Sequence, residues 1–543
     1  MRGTYSFQNF PIPIRQLTIM TSIRKEAALV IGTLATVSYS AASDINHGKR
    51  PNILIAVADD QSYPHAGAYG CPWVNTPGFD RVASEGILLE NFYTPNSKSA
   101  PSRASLLTGM YSWQLEDIGN HLACWPEGRF PTVMEVLAQN GYKAGFTGKG
   151  WAPGDPGKVD GKPRRLTGKP YQKHKLTPPT TGIAAIDYAS NFGEFLSESS
   201  DQPWVFWFGA REPHRAFEYG TGASLGGLAQ EMIDSVPSYW PDTEVTRNDM
   251  LDYAFEISHF DSHLLKMISM LEEAGELDNT IIIVTADNGM AFPRRKGFAY
   301  EHSTHLPMAI MWPDGIVSAG RRDSSFVDMT DIAPTLLALA GIEAEDAGMS
   351  PAGEDFLDIL SDSRRKERPY LLFGQERHDY GRPKNQGYPI RSILCDGYLY
   401  MYNFKPWLWP ACDPETGYLN TDGSPVKTQI LNQRRSNPSD TLLWNLSFGK
   451  KPQEELYHIE SDEECLVNLA SDPAYSEIKK KLHDILFKEL KEMNDPRLGP
   501  DGDIFDRYPF NKPENKDFYE RFMAGEIKEY QTGWVNPDDY EPR

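Results

Sequence analysis

The chain has 543 residues, of which 24% are charged and 40% hydrophobic, and its formal net charge is −21. This is an ordinary globular composition, long enough for a substantial core and two domains. The acidic balance argues against nucleic acid, which needs a basic footprint, yet leaves room for small anions held by a few local cations.

Arg24 and Lys25 precede an apolar run, Ala27 to Val37, followed by Ser40-Ala41-Ala42. That order of charge, apolar run and small residues predicts an export signal over residues 1–42, with Met20 as an alternative start. The run is too short to span a bilayer comfortably, and a short buried helix is the plainer alternative. No other stretch reads as a membrane span, so the expected location is outside the cytoplasm, periplasmic or secreted.

From Pro51 onward, short β-branched runs alternate with helical patterns. Asn52 to Val57, Trp204 to Phe208, Ile281 to Thr285 and Met308 to Met311 read as buried strands. Met250 to Leu271 reads as a helix with Tyr253, Ile257, Phe260, Leu264, Ile268 and Leu271 on one face, stopped by Gly275. Thr330 to Leu339 reads as another, with Pro334 in its first turn. Such alternation predicts an α/β domain over residues 50–370, a mainly parallel sheet covered by helices on both faces. Residues 371–543 read as a smaller α+β domain. Ile390 to Tyr402 and Glu455 to Ile459 suggest a short antiparallel sheet, and Tyr475 to Met493 an amphipathic helix. The tail after Asp495, rich in Pro, Asp and Tyr, is expected to wrap the surface. Cys71, Cys124, Cys395, Cys412 and Cys465 contain no CxxC pair; this argues against a zinc cluster and leaves one or two disulfides open.

Three segments are candidates for chemistry. Asp59-Asp60 follows the first strand directly, and ligands in parallel sheets gather at the carboxyl ends of strands. Two adjacent carboxylates repel unless a cation neutralises them, although an isolated Asp-Asp pair is more often a solvated turn. Asp287-Asn288-Gly289 follows the strand at 281–286 in the same way, and it too is a common turn when taken alone. Carboxylates with an amide oxygen suit a hard cation such as calcium or magnesium, and not zinc. The third segment is Ser99-Ala100-Pro101-Ser102-Arg103-Ala104-Ser105-Leu106-Leu107-Thr108-Gly109. Pro101 and Ser102 are helix-start residues, which sets Ser99 at a helix N-terminus where backbone N–H groups favour an anion. Arg103 lies one turn in and can reach back to an oxyanion at position 99. A capped helix without chemistry is the plainer alternative.

This third segment resembles the signature of the formylglycine-dependent sulfatases: Cys or Ser, any residue, Pro, Ser, Arg, three residues, Leu, Thr, Gly. Every fixed position is met, and the two acidic clusters flank it in the family's order. The resemblance implies an alkaline-phosphatase-like fold and a nucleophile made by oxidising Ser99 to formylglycine. It also implies one calcium ion held by Asp59, Asp60, Ser99, Asp287 and Asn288. By the same resemblance Arg103 steadies the hydrated aldehyde, Lys149 and Lys296 contact sulfate, and His214 lies near the leaving group. The hydrate's two hydroxyls explain the modification: one attacks sulfur and the second expels sulfate, a route closed to an unmodified serine. Serine in place of cysteine is similar to the bacterial variant matured by an iron–sulfur radical enzyme, which implies that enzyme as a partner. One position departs from the family: where a histidine often follows the first lysine by two residues, this chain has Trp151, and His121 is a candidate to take over that task.

The resemblance runs from about residue 51 to the final helix. Pro213-His214-Arg215 and Tyr388-Pro389-Ile390-Arg391-Ser392 are similar to the branch containing heparan N-sulfatase. Arg377, His378 and Arg391, together with His121, are candidates to hold a carboxylate or sulfate of a sugar chain, with ordinary pairing as the alternative. The expected activity is removal of sulfate from a sulfated oligo- or polysaccharide, with N-sulfoglucosamine residues as the first substrate. An O-sulfatase acting on an algal polysaccharide such as ulvan or fucan is the alternative. A phosphodiesterase or phosphonate hydrolase of the same superfold, or a non-catalytic glycan-binding protein, are the remaining readings.

Overall fold

A computed structural model describes residues 50–199, 202–363, 367–528 and 534–542. The export signal expected over residues 1–42 lies outside the described residues. No helix among those described is long and apolar enough to cross a membrane.

The N-terminal unit is built on an eight-stranded sheet. Its strands in chain order are β1 (Asn52–Ala58), β2 (Ile87–Tyr93), β3 (Lys143–Gly148), β4 (Lys169–Pro170), β5 (Trp204–Gly209), β6 (Thr280–Ala286), β7 (His305–Met311) and β8 (Arg321–Asp328). Across the sheet they run β8-β2-β7-β6-β1-β5-β3-β4. All neighbours are parallel except around β7, which runs antiparallel to both β6 and β2. The expected mainly parallel sheet is therefore present. Its central strands are continuous apolar runs because helices cover both faces: every residue of β1, β5 and β6 is buried.

The long helix expected from 250 to 271 extends over Glu244–Ala274. Thr243 caps its start by accepting from the Thr246 N–H, and Gly275 ends it at φ 68°. All six residues assigned to its apolar face are buried. The second expected helix forms as a short 3₁₀ turn, Met329–Asp331, followed by Ile332–Ala340, with Pro334 in the first turn.

The C-terminal unit carries a four-stranded antiparallel sheet: β9 (Tyr370–Gln375), β10 (Ile390–Cys395), β11 (Tyr398–Asn403) and β12 (Glu454–His458). Helix Ser476–Glu492 packs on it through Leu482, Leu486 and Leu490. Beyond Asp495 the described part of the tail is anchored by the buried side chains of Phe505, Phe518 and Phe522. All five cysteines are free, so the disulfides that the sequence left open do not form.

Candidate active site

The register of the sheet builds the acidic centre. Ala58 stands opposite Ala286 in the parallel pair β1–β6, so the residues that follow leave the sheet side by side. The Asp287 N–H donates to the Ala58 carbonyl at 3.1 Å. The Asp60 N–H, on a residue turned to φ 74°, donates to the Asp287 carboxylate at 3.0 Å. Asp59, Asp60 and Asp287 thereby bring carboxylate oxygens within 4.8 Å of one another, all buried. Asn288 closes the group, its side-chain amide donating to Asp60 at 2.7 Å.

Ser99 begins the helix Ser99–Thr108, whose ten residues are all buried. Its Oγ lies 3.1 Å from Asp59 Oδ1 and 3.5 Å from Asn288 Oδ1. The helix is pinned there from below: the Ser102 hydroxyl donates to the Asp287 carbonyl and accepts from Thr94. The Trp151 indole N–H donates to the Ala100 carbonyl at 2.9 Å. Trp151 thus braces the first turn of the helix from the core.

Three cations and a histidine converge on the carboxylates. Arg103 donates to Asp287 at 2.9 Å and lies 3.5 Å from Asp59. Lys149 reaches both Asp59 oxygens, at 2.8 and 2.7 Å. Its position depends on a tight backbone approach: a Cβ on Gly148 (φ 75°) would come within 2.0 Å of the Gly209 carbonyl. Lys296 bridges Asp60 at 2.7 Å and Asp422 at 2.9 Å. His214 Nε2 is 3.8 Å from Asp60. Its Nδ1 faces the Arg215 carbonyl at 2.6 Å, which only accepts, so the Nδ1–H tautomer is assigned and Nε2 is left toward the cavity.

Charge is not fully balanced. Burial pushes the Asp59 carboxyl up, but Lys149, His214, Arg103 and Lys296 together outweigh it and hold it well below the ordinary range. Asp287 stays raised: burial and its neighbours Asp59 and Asp60 outweigh Arg103 and Lys149. A buried carboxylate raised by its own neighbours is the condition that a divalent cation relieves, and an all-oxygen donor set fits a hard ion. The residues present therefore suit a metal such as calcium.

These groups open into a cavity of about 1020 Å³ that Asp59, Ser99, Lys149, His214 and Lys296 all line. His121 lines it too, with Nδ1 on the His378 carbonyl at 3.0 Å; burial lowers its pKa although Asp379 opposes this. Three residues expected to hold the sugar do not reach the cavity. Arg377 is buried, donating to the carbonyls of Tyr508 at 2.7 Å and Pro509 at 3.3 Å. His378 is buried against Asn96. Arg391 is fully buried between Asp495 and Glu376. The neighbouring residues Asp379 and Tyr380 line the cavity instead.

Sequence reasoning missed Lys98, Asp379 and Asp422. Lys98 pairs with Asp379 at 2.9 Å, and both line the cavity. Lys98 is the residue before Ser99, a signal available in the sequence. Asp422 sits in Asn420-Thr421-Asp422-Gly423, which reads as an ordinary turn and gave none.

Comparison with known proteins agrees with this geometry. The family model described as Sulfatase matches residues 51–342. An ulvan-active sulfatase of Formosa agariphila is 24% identical over 515 residues, 86% of this chain and 79% of its own. The human N-sulphoglucosamine sulphohydrolase is 26% identical over 478 residues, 83% of this chain and 92% of its own. A solved structure in complex with its substrate D-glucosamine-2-N,6-O-disulfate superposes with a TM-score of 0.59 at 18% identity, covering 83% of this chain and 99% of that one. The strand-end carboxylates, the buried helix start at Ser99 and the match across more than half of the sequence lead to one assignment: this chain belongs to the sulfatase family and is a sulfuric ester hydrolase.

Proposed function

We propose that the protein removes sulfate from a sulfated glycan, using calcium and a formylglycine formed from Ser99. One observation carries the reading: Ser99 Oγ stands 3.1 Å from Asp59 at a buried helix start, beside a cluster of three carboxylates. Asp59, Asp60, Asp287, Asn288 and residue 99 would hold the ion, which would add positive charge beside the sulfate oxygens. Formylglycine would supply a nucleophilic oxygen and a way to release sulfate without a second water attack.

The chain's own residues do the rest. Lys149 and Lys296 present ammonium groups in a site largely closed to water, where charge on sulfate oxygens is stabilised without reorganisation; removing one such contact typically costs ~10²–10³ in rate. Arg103 is fixed by Asp287 and the Lys149 carbonyl, so it orients the carboxylates and the loop carrying Lys149. His214, whose Nδ1–H donates to a carbonyl, would act as general acid in its imidazolium form, passing the proton on Nε2 to the leaving oxygen or nitrogen.

The named relatives support two substrates. Human N-sulphoglucosamine sulphohydrolase favours an N-sulfated glucosamine, and the ulvan-active relative favours O-sulfate on an algal chain. A radical maturase that oxidises Ser99, and export through the N-terminal signal, belong to the same reading. The test is peptide mass spectrometry across residue 99 in natively produced protein, with sulfate release from N-sulfoglucosamine and from ulvan oligosaccharides. Loss of two hydrogens at Ser99 is expected. Unmodified serine in every molecule would remove this mechanism, and release from neither sugar would remove the glycan assignment.

A further inference from the structure

Most cations facing the cavity are already spent on neighbouring carboxylates. Lys149 is paired with Asp59, Lys296 with Asp60 and Asp422, and Lys98 with Asp379. Arg215 lies bidentate on Asp249 at 2.7 and 2.6 Å. Arg211 and Lys512 differ. Both line the cavity, both are exposed, and neither side chain forms an ion pair among the described residues.

Each is nonetheless carried on a fixed backbone. The Arg211 N–H donates to the Tyr188 hydroxyl and to the Glu212 carboxylate, both at 3.1 Å, and the His214 N–H donates to the Arg211 carbonyl at 3.0 Å. Lys512 lies on the C-terminal tail, and Arg377 holds that tail. Its guanidinium takes the Tyr508 and Pro509 carbonyls and stacks 3.8 Å from the centre of the Phe510 ring. The next residue, Asn511, donates its N–H to the Leu122 carbonyl at 2.7 Å. The cavity, about 1020 Å³, exceeds what one sulfate and one sugar ring fill; small-ligand pockets are usually about 300–1,000 Å³. Glu514 also lines the cavity.

We propose that Arg211 and Lys512 form a second anion subsite, which takes a carboxylate or a further sulfate carried by the glycan beside the sulfate that is removed. Anchored backbones with free charged ends suit this role: the cations are held on the cavity wall, and no internal partner must be broken before they bind. The inference rests on the sulfated-glycan reading and narrows it to substrates with at least two anionic groups.

The test is calorimetric binding to the full chain carrying Ser99→Ala, with calcium present. The probes are glucosamine 2-N-sulfate, glucosamine 2-N,6-O-disulfate, and glucosamine 2-N-sulfate linked to a hexuronate. At least one doubly anionic probe is expected to bind roughly tenfold tighter than the first, and high salt should shrink the difference. Which probe gains tells sulfate from carboxylate. Adding Arg211→Ala and Lys512→Ala should erase the advantage; circular dichroism checks that these exposed substitutions leave the fold intact. No advantage in the parent, or an advantage that survives both substitutions, overturns the subsite. Sulfate release by the matured wild-type protein is read separately: its absence from every probe defeats the sulfatase mechanism, while the binding ratio still decides the subsite.

Discussion

Lys296→Met removes a cation that bridges two carboxylates in the driest part of the site. Lys296 Nζ lies 2.7 Å from Asp60 and 2.9 Å from Asp422, with side-chain exposures of 5%, 0% and 8%. Breaking a buried pair by removing one partner costs about 3–5 kcal/mol, because the remaining charge is left uncompensated. Calcium beside Asp60, with Lys98 and His214 near Asp422, would offset part of this, so metal-loaded protein should still lose on the order of 2 kcal/mol. The same ammonium is expected to stabilise sulfate in the transition state, so kcat/KM should fall ~10²–10³-fold. There is also a pH signature. Burial pushes the Asp422 carboxyl up, but Lys296, with Lys98 and His214, outweighs it and holds the folded pKa below the ordinary value. Its contribution to stability is therefore present above the unfolded carboxylate pKa and lost as pH falls through the lower, folded one. Without Lys296 burial weighs more and the folded pKa rises, so the Asp422 share of the acid loss should shrink, and the stability deficit of the variant should be largest near neutral pH and narrow as pH falls. Urea unfolding across pH, with sulfate release at saturating calcium, measures all three effects. A folded variant that loses less than tenfold in kcat/KM, with an unchanged acid limb, would refute the role given to Lys296.

Other substitutions separate site from scaffold. Asp287→Asn keeps the side-chain shape but removes a metal-binding charge; calcium affinity measured by calorimetry should drop at least tenfold and turnover should fall with it. Chelation of the wild-type protein should abolish sulfate release and calcium should restore it, whereas zinc should not. Arg391→Met should cost about 3–5 kcal/mol in denaturant unfolding, because it strands Asp495 and leaves Glu376 with Arg497 alone, while the KM of surviving folded enzyme stays near wild type. A selective rise in KM without loss of stability would instead return Arg391 to the substrate. Trp151→Phe deletes the indole N–H on the Ala100 carbonyl and should cost about 1–2 kcal/mol, with a loss of turnover that histidine at the same position does not rescue if bracing is its only task.

The acidic pairs at 59–60 and 287–288, the Ser99 segment and the strand–helix alternation were legible because each depends on local chemistry: strand runs, turn residues past strand ends, and a helix start. The long helix was legible down to its glycine stop, because amphipathic period and left-handed backbone are both written locally. What the sequence could not supply was partnership between distant segments. Arg377 and Arg391 carry the right groups for gripping an anionic sugar, yet folding turns both inward, one onto tail carbonyls and the other between Asp495 and Glu376. Asp379 and Asp422 enter the cavity because the C-terminal unit brings them to Lys98 and Lys296. A buried charge must find a partner, and which partner lies within reach is decided by chain packing over hundreds of residues rather than by neighbours in sequence. The sequence by itself pointed to the family, to Ser99 as the proposed nucleophile precursor, and to the two acidic pairs that meet in the structure. Only the tertiary structure decided which cations are spent on internal carboxylates and which, at Arg211 and Lys512, remain free to meet a substrate.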